Sequence, residues 1–96
     1  MTDARHLAWF RAITPHFQTA ARQVAQEIAA MDVSAPFQVE AFRKSAVGWA
    51  EHDGQIVHMT DAELALEERD EIIDLIVYRA ARLARGAELD RLDRGG

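Results

Sequence analysis

The residues best suited to chemistry lie close together in the segment GWAEHDGQIVHM, residues 48–59. Two imidazoles, His52 and His58, stand near two carboxylates, Glu51 and Asp53. Side chains of these types bind divalent cations or transfer protons when they converge on one point. Whether this segment is a site therefore depends on the local structure that carries it.

The pair Asp53-Gly54 predicts a β-hairpin with a two-residue type I′ turn, because both central residues of that turn need a positive φ. In that register Trp49 pairs across the hairpin with His58, while His52 and His58 lie on opposite faces. The imidazoles then diverge, so we expect no metal-binding or catalytic residues here. We expect Trp49 to be a recognition residue, because exposed tryptophans are enriched at binding hot spots.

A run of carboxylates on the last predicted helix is the second candidate site. Residues 60–78 contain seven acids against Arg69, a net charge of −6, and the whole chain carries −5. Three of the acids are spaced i, i+4 and i+7 and therefore share one helix face. Such a face either docks on a basic protein surface or is solvated near the positive end of the helix dipole. The candidate acidic face consists of Glu67, Glu68, Asp70, Glu71 and Asp74.

The five arginines of residues 79–96 give that segment a net charge of +2. Those on the predicted helix are spread around it rather than aligned, and they lie at the negative end of its dipole. Because nucleic-acid binding requires a basic face, we expect no nucleic-acid partner.

The chain contains no cysteine, phosphate-binding loop, nucleophile elbow or His-Glu-x-x-His motif. We therefore expect neither an enzyme nor a protein that holds a cofactor or a metal. No apolar run approaches the roughly 18–20 residues that span a bilayer. The expected protein is soluble and cytoplasmic, with no membrane partner.

The elements that would position these residues begin with a helix over residues 3–31, where apolar side chains recur at alternating steps of three and four. Pro15 interrupts it, because proline lacks an N–H and its ring clashes with the preceding turn. We predict two nearly collinear segments, 3–13 and 15–31, or one kinked helix. Trp9 and Phe10 are adjacent, so at least one of them lies off the centre of the apolar stripe and is a candidate interaction residue.

Residues 37–44 fit two structures. Phe37 and Val39 alternate with polar residues as in a strand, whereas Val39, Phe42 and Ala46 have helical spacing. We favour the strand, which would extend the hairpin to a three-stranded antiparallel meander.

The sequence after the hairpin predicts a long helix. Thr60 and Glu63 form a capping box at its start, and Gly86 is suited to its end. Residues 87–96 would then be a frayed tail. The apolar face of this helix includes Ile76, which we take as a further candidate interaction residue.

Together these patterns predict a single α+β domain of residues 1–96, with an N-terminal helix kinked or split at Pro15, a hairpin or meander, and a long C-terminal helix. Its two long helices offer more apolar surface than so short a chain covers internally. We therefore predict a non-catalytic protein–protein interaction module, acting as a homodimer or other homo-oligomer or as an assembly or adaptor factor. The alternative is a small acidic inhibitor or regulator, of the anti-restriction, anti-CRISPR or antitoxin type, whose acidic face blocks a basic groove on a target protein.

Overall fold

The protein is helical and has no strand in residues 3–95, the part whose backbone the computed structural model describes; side chains are described for residues 3–88. The helices of that part are α1 (Ala4–Ile13), α2 (Phe17–Ala30), α3 (Ala35–His52) and α4 (Asp61–Gly95), with 3-10 turns at Thr14–His16 and Gln55–His58. The predicted α+β class is therefore wrong. Neither the β-hairpin nor the three-stranded meander is present in this part of the chain.

The helices form two compact units. The first contains Met1–Ala29 and Glu71–Gly96, and the second contains Ala30–Asp70. The first unit thus holds α1, α2 and the C-terminal part of α4, and the second holds α3 and the first turns of α4. Two units of one chain can belong to one folded domain, so the single domain expected for residues 1–96 stays a prediction.

The predicted break at Pro15 is confirmed. α1 ends at Ile13, and a 3-10 turn with Pro15 near its start leads into α2. Thr14 donates both its backbone N–H and its hydroxyl to the carbonyl of Phe10, the hydroxyl at 2.7 Å. The tighter turn arises because proline has no N–H for the α-helical ladder.

A small core joins the helices of the first unit. Ile13, Ala20 and Ala80 are its fully buried members, with 1%, 0% and 0% of their surfaces exposed. Alanines at the contact let helix backbones approach closely. Ile76 packs against this core and is half-buried, so it lies in the interior of the unit rather than on an open surface.

The segment expected to be strands is the single helix α3, with Pro36 in its first turn. Proline is tolerated there because the first N–H groups of a helix have no partner within the helix. The spacing of Val39, Phe42 and Ala46, which favoured a helix, was the correct signal for residues 37–44.

Asp53 and Gly54 end α3 instead of turning a hairpin. Their φ angles are 51° and 67°, so the positive φ expected at both residues is present. Both backbone N–H groups donate to the carbonyl of Trp49. Left-handed residues satisfy the last carbonyls of a helix as well as they turn a hairpin, which is why the same dipeptide serves either structure.

The capping box at the start of α4 is confirmed. The Glu63 N–H donates to the Thr60 hydroxyl at 3.2 Å, and the Thr60 N–H donates to a Glu63 carboxylate oxygen at 3.2 Å. The helix then continues through Gly86 to Gly95, so the end expected at Gly86 is wrong. Fraying of residues 87–96 stays a prediction; residues 89–96 lie outside the described side chains.

Candidate interaction groove

An apolar groove lies between α3 and the start of α4 in the second unit, and its volume is about 760 Å³. One wall is the helix face that carries Phe42 and Trp49, and the other includes Leu64 of α4. Ile56 contributes from the 3-10 turn that joins the two helices. The remaining lining residues are small or polar: Ser45, Ala46, Gly48, His52, Gly54, Gln55, Met59, Glu63 and Glu67.

The groove is open because α3 contains no buried residue. Phe42 is 77% exposed and Trp49 is 53% exposed. With Val39 and Ala46 they are spaced by three, four and three residues, the spacing of the seam in paired helices. This face of α3 is therefore built like a helix contact, although Phe42 and Trp49 stay more than half exposed beside α4.

Trp49 is held in place by the turn that follows α3. A Cβ added to Gly54 would lie 2.7 Å from Cζ2 of Trp49 and 2.9 Å from its Cε2. The indole therefore lies directly against the backbone of Gly54. A glycine is needed here both for its positive φ and for this close approach.

The rim of the groove is acidic. Glu63 and Glu67 line it from α4. Glu63 is engaged in the capping box, and no ion pair to Glu67 is present within residues 3–88. The second unit contains nine acids against Arg43, Lys44 and Arg69, a net charge of −6.

His52 and His58 lie in different elements of the second unit. His52 lines the groove, whereas His58 lies in the 3-10 turn and does not line it. Within the described side chains, no three His, Asp or Glu residues are grouped so that they could hold a metal ion.

The two other aromatic candidates lie on α1 in the first unit. Trp9 and Phe10 are 44% and 40% exposed, so both reach the surface. The imidazole of His6 lies 5.9 Å from the indole of Trp9 and 6.2 Å from the ring of Phe10. Phe10 also meets Phe17 edge to face, with 5.6 Å between ring centroids.

The acidic candidates all lie exposed on α4. Glu67, Glu68 and Asp70 belong to the second unit, and Glu71 and Asp74 belong to the first. Of the five, only Glu67 lines the groove.

Arg79 does more than complement the helix dipole. Its guanidinium donates to Glu27 at 2.5 Å and to the amide oxygen of Gln23 at 3.1 Å, which ties α4 to α2. The hydrogen bond from Arg79 lowers the pKa of Glu27 and in turn raises the pKa of Arg79. Only 15% of the Arg79 side chain is exposed, so its stem also contributes packing.

Sequence reasoning missed the groove residues Phe42, Ile56 and Leu64. Phe42 could have been found, because its three-four spacing with Val39 and Ala46 was visible. Ile56 was assigned to a strand, and its place in the groove depends on the 3-10 turn.

No helix in the described part of the chain combines the length and the apolar character needed to cross a membrane. No protein-family model matches the chain, and no curated protein or solved structure matches it.

Proposed function

We propose that the chain is a non-catalytic protein–protein interaction module that works as a homo-oligomer or as an assembly factor. The observation that supports this proposal is α3, an 18-residue helix that buries no residue although it carries Phe42 and Trp49. The largest apolar patch on the surface of a monomeric protein is often a protein-interaction site. A partner that covers the groove would give these side chains the contacts that the described residues do not provide.

The exposed apolar area supports a stable interface. An aromatic side chain offers about 150–250 Å². Scaled by exposure, Phe42 and Trp49 present about 300 Å² of surface in the groove, and the exposed side chains of Val39, Ile56 and Leu64 extend it. A standard interface buries about 800 Å² per partner, of which somewhat more than half is apolar. The groove and its edge are therefore large enough to form the centre of such an interface.

We place this module in the cytoplasm. The chain contains no cysteine, which fits a reducing compartment, where structural disulfides are rare.

Sedimentation velocity of the full chain at roughly 1–100 µM tests the proposal, because this range brackets micromolar self-association. We expect the average mass to rise with concentration in the wild type. Phe42→Gln should weaken the association. The matched control is Val47→Gln, which removes an apolar side chain that is 58% exposed on α3 but does not line the groove. A monomer across the whole range would overturn the homo-oligomer.

The acidic inhibitor is the second candidate function, and the net charge of −6 in the second unit favours it. Binding led by that charge should be lost as salt rises, whereas self-association anchored by Phe42 and Trp49 should persist at high salt. Reversing Glu68 and Asp70 to lysine should abolish binding to a basic target and leave self-association unchanged, because neither residue lines the groove.

A further inference from the structure

We propose that the occupant of the groove is helix α1 of a second copy of this chain. This inference rests on the proposed homo-oligomer and names its interface. It assigns the exposed aromatic residues of α1 and those of the α3 wall to the two sides of one contact.

The chemistry of α1 is that of a basic amphipathic helix. Ala4–Ile13 contains Arg5 and Arg11 and no acidic residue. Leu7, Trp9 and Phe10 are 39%, 44% and 40% exposed, so about two-fifths of the surface of each residue is available to a partner. Because helix residues four apart are neighbours, Arg5 lies beside Trp9 and Arg11 lies beside Leu7. The exposed apolar side chains are thus flanked by an arginine on each side. Arg5 pairs with Asp3 at 3.2 Å, so Arg11 supplies the net positive charge.

The groove is acidic at its rim and apolar along its walls, so it complements the basic, apolar surface of α1. Its apolar walls include Phe42, Trp49 and Leu64, and its rim carries Glu63 and Glu67. A helix that lies in such a groove contributes apolar anchors spaced three or four residues apart. Leu7 and Phe10 have that spacing, and Arg11 beside Leu7 would face Glu63 and Glu67 on the α4 wall.

The length of α1 is sufficient to cover the α3 wall of the groove. The ten residues of α1 span about 15 Å, and the stretch of α3 from Phe42 to Trp49 spans about 10 Å. One short helix therefore covers the α3 wall of the groove.

Charge argues against the simpler alternative, in which two grooves face each other. That arrangement would bring together two units of net charge −6, and like charges across an interface are unfavourable. Pairing the groove with α1 avoids this repulsion. Each copy has one α1 and one groove, so a two-fold dimer of this kind would contain two identical contacts.

A charge-swap experiment on the full chain tests the assignment. Variant one is Glu67→Lys in the groove, and variant two is Arg5→Glu/Arg11→Glu on α1. In a homodimer of variant one the new lysine faces the arginines of α1, and in a homodimer of variant two the new glutamates face the acidic rim. We therefore expect the dissociation constant of each homodimer to rise about tenfold or more at low salt. In a 1:1 mixture, each heterodimer contains two contacts between opposite charges. In one, the native α1 of variant one binds the native groove of variant two. In the other, the acidic α1 of variant two binds the groove of variant one, which carries the Glu67→Lys substitution. The mixture should therefore dimerise nearly as well as the wild type.

The controls are Glu51→Lys and Arg22→Glu, which reverse exposed charges that lie outside the groove and outside α1. These should leave the dissociation constant within about threefold of the wild-type value. Both variant chains keep a negative net charge, so recovery in the mixture would not come from general attraction between them. Circular dichroism of each variant establishes that it is folded.

Three outcomes decide the matter. Weakening by each variant and recovery in the mixture would support α1 as the occupant. A wild-type dimer that is weakened by Phe42→Gln but not by the α1 variant, or a mixture that fails to recover, would overturn α1 and leave the proposed module standing. A wild-type chain that stays monomeric would overturn the proposed homo-oligomer and this inference with it.

Discussion

The indole of Trp49 lies against Gly54 with no room for a Cβ between them, since that atom would lie 2.7 Å from Cζ2 of Trp49. One contact thus joins the last turn of α3, the left-handed residues that end it and one wall of the groove. The shape of the groove depends on a residue that has no side chain.

Gly54→Ala should therefore destabilise the protein. The substitution places a Cβ on a backbone with φ of 67° and pushes it into the indole. We expect a loss of about 1–3 kcal/mol in the free energy of unfolding, measured by urea denaturation. The matched control is Gly48→Ala near the C-terminal end of α3, where an added Cβ meets nothing within 4 Å. That change should stabilise by up to about 1 kcal/mol through helix propensity. An equal change in the free energy of unfolding for the two substitutions would contradict the contact between Gly54 and Trp49.

Ile13→Ala should be among the most damaging truncations in the described part of the chain. Ile13 is 1% exposed and is the largest side chain there that is fully buried. Its loss should cost about 2–4 kcal/mol through lost transfer free energy and the cavity left behind. Val39→Ala removes an apolar side chain that is 72% exposed, so in the monomer it should change stability by less than about 0.5 kcal/mol. Thermal denaturation at low protein concentration compares the two.

Thr60→Ala should shorten α4 from its N-terminal end. The change removes the hydroxyl that accepts the Glu63 N–H at 3.2 Å. We expect a cost of about 1 kcal/mol, whereas Thr60→Ser keeps the acceptor and should cost much less. Amide hydrogen exchange should localise the loss of protection to the first turn of the helix. Uniform loss along α4 would show that the cap is not a local feature.

Glu27→Gln should reduce stability in a pH-dependent way. The hydrogen bond from Arg79 lowers the pKa of Glu27 in the folded protein, so this carboxylate contributes stability above its ordinary pKa of about 4.5. That contribution is lost as pH falls through the lowered folded value. The difference between wild type and variant should be largest at neutral pH and disappear in strong acid, where both side chains are uncharged. Because Glu27 is 59% exposed, the effect should be small. A difference that persists unchanged in acid would exclude the ion pair as its cause.

Local signals in the sequence predicted the local structures that they determine. The capping box at Thr60 and the break at Pro15 depend only on residues within a few positions, and both are present. The pair Asp53-Gly54 predicted two positive φ angles correctly. The pair did not determine whether the segments on either side are helices or strands, because two left-handed residues can end a helix or turn a hairpin.

The misassignment of α3 has a related cause. Hydrophobic periodicity identifies an element when a core selects one of its faces. α3 buries nothing, and it carries apolar residues on different faces, such as Trp49 beside the groove and Val47 away from it. The apolar residues of α3 therefore do not mark one buried face, and their pattern fits a strand as well as a helix.

The alanine-rich core of the first unit has a thermodynamic consequence. Only four hydrophobic side chains are buried in the described part of the chain, and two of them, Ala20 and Ala80, are alanines. Unfolding of the monomer thus exposes little new apolar surface, so its heat-capacity change should fall below the about 12–15 cal/mol/K per residue typical of globular proteins. A small heat-capacity change flattens the dependence of folding free energy on temperature. Association that covers the groove would bury more apolar surface, so the heat-capacity change of unfolding should be larger for the dimer than for the monomer. The melting temperature would then also depend on protein concentration.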